Sequence, residues 1–146
     1  MNFERSLKLI MNSALDAAKP KGKFKNLPQK PKGKLIVLGA GKAGASMAQE
    51  FEKAYDGPLE GLVITRYGHH TKTKFIKIIE ASHPEPDKNG LLATKKIFEL
   101  ATQSSKEDHV VFLISGGASS KNVIISLHLS VVSALSYTSI KSFSLN

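Results

Sequence analysis

Leu35-Ile-Val-Leu-Gly-Ala-Gly-Lys-Ala-Gly-Ala-Ser-Met-Ala48 decides the architecture of the chain. Leu35–Leu38 is a short unbroken apolar run, the kind of strand that a parallel sheet buries on both faces. Gly39-Ala-Gly-Lys-Ala-Gly44 closes it. Beyond that turn Ala43, Met47, Ala48, Phe51 and Ala54 recur along one face of a helix, which ends near Asp56-Gly57-Pro58. The pattern is strand, glycine turn, helix.

The same grammar continues downstream. Gly61–Thr65 reads as a second strand and Phe75–Ile79 as a third. Leu91, Ala93, Thr94, Ile97, Phe98 and Ala101 mark another helix, and His109–Ile114 a fourth strand. Strands alternating with helices predict an α/β fold over residues 34–120, a doubly wound, mostly parallel, Rossmann-like sheet that binds ligands at the carboxyl ends of its strands. Upstream, Phe3, Leu7, Ile10, Ala14 and Leu15 sit at helical spacing and predict an amphipathic helix within residues 1–18. Between helix and sheet, residues 19–33 interleave lysines with Pro20, Gly22, Pro28, Pro31 and Gly33, which favours an extended, solvated linker over a helix.

Composition narrows the function. A chain of 146 residues with 41% apolar content supports one folded domain. The absence of cysteine excludes disulfide frameworks, thiolate metal sites and cysteine nucleophiles. The net charge of +9 suggests nucleic acid until its distribution is read. Residues 1–34 carry nine Lys/Arg against Glu4 and Asp16, whereas residues 35–120 carry ten of each sign. The folded part is neutral, and Phe24 alone is no stacking platform, so no specific nucleic-acid partner is expected. Glu4, Arg5 and Lys8 break any secretory signal, and the Arg and Ser enrichment of a transit peptide is missing. The expected location is cytoplasmic, with no membrane partner.

Two carboxyl ends carry the chemistry. Gly39, Gly41 and Gly44 match G-x-G-x-x-G with a strand before and a helix after, the setting in which a helix N-terminus offers N–H groups to a phosphate. The alternative is a turn that merely lets helix and strand pack closely. Ser115-Gly-Gly-Ala-Ser-Ser120 repeats the design after the fourth strand, so Ser115, Gly116, Gly117 and Ser119 join the cofactor-binding candidates. Lys42 lies within the first turn, where its ammonium would oppose charge building on a transferred phosphate; hydride transfer has no use for it there. No G-x-x-x-x-G-K-[ST] motif is present. The second strand ends Ile64-Thr65-Arg66 where an NAD enzyme would place an acid, so an NADP-dependent reductase is the oxidoreductase alternative. Arg66 and His69 are candidates for binding a carboxylate or phosphate substrate. Asp87 is expected to cap the following helix, and it is also the local candidate for a magnesium ligand.

Four blocks in order, Leu35–Ala48, Gly61–His69, Glu80-Ala-Ser-His-Pro-Glu-Pro-Asp87 and Leu113-Ile-Ser-Gly-Gly-Ala-Ser119, resemble the N-terminal part of the glycerate 2-kinases that carry a MOFRL C-terminal domain. Members of that family have also been labelled hydroxypyruvate reductases. The resemblance implies ATP-dependent phosphorylation of the 2-hydroxyl of D-glycerate, with magnesium. It implies that Lys42 works at the reacting phosphate and that Ser115, Gly116 and Gly117 belong to the phosphate-contacting loop. Whether such a protein forms a homo-oligomer is left open.

The resemblance stops near residue 120. Residues 121–146 hold seven serines and thirteen apolar residues, with no Gly, Pro, Asp or Glu. A membrane span is diluted by the polar residues between Asn122 and Ile140. A native element completing the sheet is a second reading. The favoured expectation is non-family sequence, leaving a domain incomplete relative to the family and weak or inactive alone. A non-catalytic nucleotide-binding fragment is the corresponding alternative function.

Overall fold

The computed structural model describes residues 2–115 and 139–145, the latter by backbone only. The chain runs through α1 (Phe3–Ala18), β1 (Leu35–Ala40), α2 (Gly44–Ala54), β2 (Leu59–Arg66), β3 (Ile76–Ala81), α3 (Lys88–Thr102), β4 (His109–Ser115) and β5 (Ser139–Leu145). All strands are parallel, in the order β3-β2-β1-β4-β5. The central Leu38 pairs with Leu62 on one side and Phe112 on the other.

Two apolar layers sandwich this sheet. Leu35, Val37, Val63, Val111 and Leu113 face Met47, Ala48 and Phe51 of α2. Ile36, Leu38, Leu62, Val110 and Phe112 face Ile97 and Ala101 of α3. Alternate residues of each strand therefore enter opposite layers, and the sheet is doubly wound. Each fully buried large side chain contributes about 1.5–3 kcal/mol. Phe51 anchors the α2 layer, with Phe24 edge-on at 5.4 Å and Tyr55 stacked at 5.9 Å between ring centroids.

From β1 the chain winds outward through β2 and β3, then returns to the other side of β1 as β4. The strand order thus reverses at β1, and in doubly wound sheets of this kind ligands bind at the carboxyl ends of the strands flanking such a reversal. The short link from β2 to β3, Tyr67–Phe75, contains no helix, although parallel neighbours usually need a crossover of a dozen or more residues. Glu52 on α2 supplies what a crossover helix would have supplied. Its carboxylate accepts from the N–H groups of Lys74 and Phe75 at 2.8 Å and of Ile76 at 2.6 Å. Gln49 donates to the Lys72 carbonyl at 2.9 Å, fastening the same link to α2.

Several boundaries differ from the sequence reading. β3 begins at Ile76, because Phe75 lies 60% exposed in the link, and it continues to Ala81. β1 and β2 are longer than their apolar runs because ladder pairing extends through Ala40↔Ile64 and back to Leu35↔Leu59. α1 spans its expected residues, with the Asn2 side chain accepting from Glu4 N–H, and none of its residues is buried. Residues 19–33 form no helix or strand. They are not a wholly solvated linker: the lysines stay exposed while Pro20, Phe24 and Pro28 are buried, Phe24 against Phe51. The backbone of β5, within the segment set apart from residue 121, pairs with β4 from His109↔Ser139 to Ser115↔Leu145.

Candidate functional site

The carboxyl ends of β1 and β4 touch. The Ser115 hydroxyl oxygen accepts from Ala43 N–H at 2.8 Å, joining the end of β4 to the turn after β1. Gly41 holds φ at +120°, a value that side-chain-bearing residues rarely adopt, and a Cβ there would collide with the carbonyl and hydroxyl oxygens of Ser115. The other two motif glycines answer to packing. A Cβ on Gly39 would strike the Leu113 carbonyl, and one on Gly44 would lie 2.9 Å from Val63 Cγ1 and 3.2 Å from the Ile64 carbonyl. The first and second glycines let β1 and its turn lie against β4. The third lets α2 lie against β2.

The turn spends most of its own donors. Gly41 N–H donates to Ile64 carbonyl at 3.1 Å, Ala43 N–H to Ser115, and Gly44 N–H to the Gly41 carbonyl at 2.9 Å. An anion at this turn would therefore be met chiefly by the Lys42 ammonium and the first turn of α2. The N-cap of α2 is Ala43, whose side chain makes no capping bond, and no acid occupies the first turn, so among the described residues no carboxylate meets the positive pole of that helix.

Lys42 projects into solvent from the middle of the turn. Its carbonyl accepts from the buried Thr65 hydroxyl at 3.2 Å, which brings the end of β2 alongside. Arg66 follows directly and is also exposed. Neither cation takes part in an ion pair among the described residues. Lys42, Arg66 and Ser115 thus share one lip of the sheet. Gly116, Gly117 and Ser119 lie outside the described residues.

Arg66-Tyr-Gly-His69 is a tight turn closed by His69 N–H donating to the Arg66 carbonyl at 3.2 Å, with Gly68 at φ +76° in the position that requires it. His69 N–H also reaches the Glu80 carboxylate at 3.2 Å, and Tyr67 N–H the Ala81 carbonyl at 3.3 Å. Asp87 caps α3: one carboxylate oxygen accepts from Gly90 N–H at 2.8 Å, and the other accepts from the Tyr67 hydroxyl at 2.7 Å. The Gly90 bond first, then the Tyr67 bond, hold this carboxyl below the usual aspartate range. The phenol is pushed up by donating to Asp87.

The magnesium expectation finds no ready-made cage here. Both Asp87 oxygens already have partners, Glu80 is engaged with His69, and no group of three or more His, Asp or Glu side chains is placed for a metal among the described residues. Magnesium held mainly by phosphates and water needs only one or two carboxylates. The described residues offer it nothing closer to a built site.

Sequence reasoning missed Thr65, Tyr67, Asn89 and Glu52. Thr65 had a visible signal, a hydroxyl at the end of an otherwise apolar strand. Tyr67 and Asn89 meet across 22 residues, with Asn89 Nδ2 donating to the phenol oxygen at 2.9 Å, and nothing local marks that meeting.

Comparison with known proteins places this geometry in context. A domain of unknown function, DUF4147, matches residues 6–135. The match thus runs past residue 120, where the sequence resemblance stopped. A protein of Agrobacterium vitis named hydroxypyruvate reductase is 46% identical over 116 residues, which are 78% of this chain and 26% of that protein. The glycerate 2-kinase of Pyrococcus horikoshii is 40% identical over 88 residues, 60% of this chain and 20% of the relative. The crystal structure of a glycerate kinase from Thermotoga maritima superposes with a TM-score of 0.65 at 33% identity, covering 80% of this chain and 30% of that one. The chain spans about a quarter of the length of the curated relatives it matches. Among the described residues no helix is long and apolar enough to cross a membrane.

Proposed function

The chain belongs to the DUF4147 family, and from that premise we propose that it carries the phosphate-handling part of a glycerate 2-kinase. The observation behind the reading is the contact between Ser115 and the Gly41–Ala43 turn, which brings the carboxyl ends of β1 and β4 together with Lys42 exposed beside them. A relative named glycerate 2-kinase and a structural neighbour titled glycerate kinase support it.

ATP would supply the phosphoryl group. Lys42 neutralises charge accumulating on the transferred phosphate, and the uncapped start of α2 adds its dipole on the same side. Arg66 and His69 engage the carboxylate of D-glycerate. Its 2-hydroxyl oxygen forms the new bond to phosphorus as the bond to the ADP oxygen breaks and the hydroxyl proton is lost. Catalysis on this scheme is positioning and charge stabilisation, with no covalent enzyme intermediate. No step is assigned to magnesium.

A second reading, an NADP-dependent hydroxypyruvate reductase, is favoured by Arg66 at the end of β2 and by the name of the Agrobacterium relative. Incubating the chain with ATP, magnesium and D-glycerate, and separately with NADPH and hydroxypyruvate, separates the two. Slow release of ADP and a phosphoglycerate is expected in the first mixture, as fits a chain that is weak alone, and constant NADPH in the second. Loss of NADPH would transfer the assignment to the reductase. Stabilisation by ATP with no ADP release would identify a nucleotide-binding fragment without turnover.

A further inference from the structure

Arg66 and His69 sit at the two ends of a four-residue turn, and a turn on a sheet edge holds two side chains in register only if it is itself held. Its own hydrogen bond and the Glu80 carboxylate fix the backbone of His69. The middle of the turn is fixed by Tyr67. The phenol donates to Asp87 at 2.7 Å and accepts from Asn89 Nδ2 at 2.9 Å, and Asp87 in turn caps α3 through Gly90 N–H at 2.8 Å. One side chain therefore ties the turn after β2 to the start of α3, on the same edge of the sheet as Lys42 and Ser115.

We propose that Tyr67 is a positioning residue for the acid substrate: held between Asp87 and Asn89, it sets the Arg66–His69 turn so that both side chains address one carboxylate. This rests on the glycerate reading above. A phenol needed only for packing would be buried among apolar side chains, whereas Tyr67 is 49% exposed and its hydroxyl is committed at both donor and acceptor positions. Asp87 has two separable jobs, because asparagine is as good an N-cap as aspartate but presents the phenol with no negative charge.

The test titrates D-glycerate and, separately, ATP into the wild-type chain, Tyr67→Phe and Asp87→Asn, and follows amide exchange over residues 66–69. Tyr67→Phe is expected to weaken D-glycerate binding about tenfold, the loss of one charge-assisted hydrogen bond, with ATP binding unchanged. Exchange across the turn accelerates while that in β1 stays as in wild type. Asp87→Asn is expected to lower the pKa of the phenol, so that it ionises earlier in an ultraviolet difference titration against Tyr67→Phe, and to weaken glycerate binding as Tyr67→Phe does. Wild-type binding of glycerate with equal binding by Tyr67→Phe would overturn the positioning role alone. A wild-type chain that binds ATP but no glycerate would overturn the substrate reading and this inference with it. Equal loss of ATP and glycerate affinity in Tyr67→Phe would show a structural residue, and that also sinks the proposal.

Discussion

The two ends of the sheet treat charge in opposite ways. At the amino end Lys34 pairs with Glu60 at 2.9 Å, and Asp108 is buried, accepting from Lys34 N–H and Ser105 N–H at 2.6 Å each. Gly33 N–H and the Lys34 carbonyl are likewise bonded, to Glu107 and His109. At the carboxyl end Lys42 and Arg66 carry their charges into solvent with no ion pair among the described residues, beside a helix start that no side chain caps. Stability alone explains the first end. The second leaves cations beside the positive pole of α2, an unfavourable placement that an arriving anion reverses.

The largest expected consequence of that contrast lies at Lys42. Lys42→Met should reduce phosphoryl transfer by about 10²–10³-fold, the usual range for removing one preorganised charge from a transition state. It should change unfolding free energy by less than about 0.5 kcal/mol, because the side chain is exposed and makes no ion pair among the described residues. Coupled ADP assay and urea titration of the same preparation check both halves. A variant that unfolds early would place Lys42 with the structural end and dissolve the contrast.

Gly41→Ala should invert the pattern. The added Cβ would meet backbone and hydroxyl oxygens of Ser115 from a φ of +120°, so the turn or β4 must move. A loss of about 2–4 kcal/mol in urea unfolding is expected, together with loss of nucleotide-induced stabilisation. The carboxyl end would then answer as a core position does, which sharpens the comparison: its backbone is closely packed and only its cations face solvent.

How much of this was legible beforehand follows the range of each interaction. The strand, glycine turn and helix around Gly41 were legible because each depends on residue type within a few positions. So was the cap at Asp87. The touching of Ser115 and Ala43, 72 residues apart, was foreseeable only as two similar loops on one edge. Glu52 was not legible, since an acid between apolar helix positions looks like any solvated residue. Its signal lay elsewhere, in a β2–β3 link too short for a crossover helix, which left three N–H groups in need of an acceptor. Phe24 was hidden by its composition: fifteen residues rich in Lys, Pro and Gly suggest solvent, yet one aromatic ring is enough to pin them to α2.

Asp108 tests the amino end at intermediate size. Burial would raise its pKa, but the N–H groups of Lys34 and Ser105 outweigh that and hold it lowered. A carboxyl depressed in the folded state stabilises above its unfolded value of about 3.9 and loses that contribution as pH falls through the folded value. Acid unfolding should therefore steepen below about pH 4, and Asp108→Asn should flatten that limb. Asp108→Ala, which leaves two backbone donors without acceptors, should cost about 2 kcal/mol at neutral pH. Thermal melts across pH 2–7 would show it, and an unchanged acid limb in Asp108→Asn would remove this aspartate from the account.

The smallest effect belongs to Lys34, and its smallness carries meaning. Its ammonium is raised in pKa by the hydrogen bond to Glu60, yet both side chains are largely exposed, at 68% and 46%. Exposed pairs are screened and spend side-chain entropy to form. Lys34→Met should leave the melting temperature unchanged within error at moderate salt, with a small drop visible only at low salt. It should also leave ATP binding untouched, since the length of β1 separates it from the Gly41 turn. Two lysines in one strand–turn unit, eight residues apart, would then give opposite readouts from the same substitution. That pair of measurements distinguishes a cation placed for a ligand from one placed on a surface more directly than either variant alone.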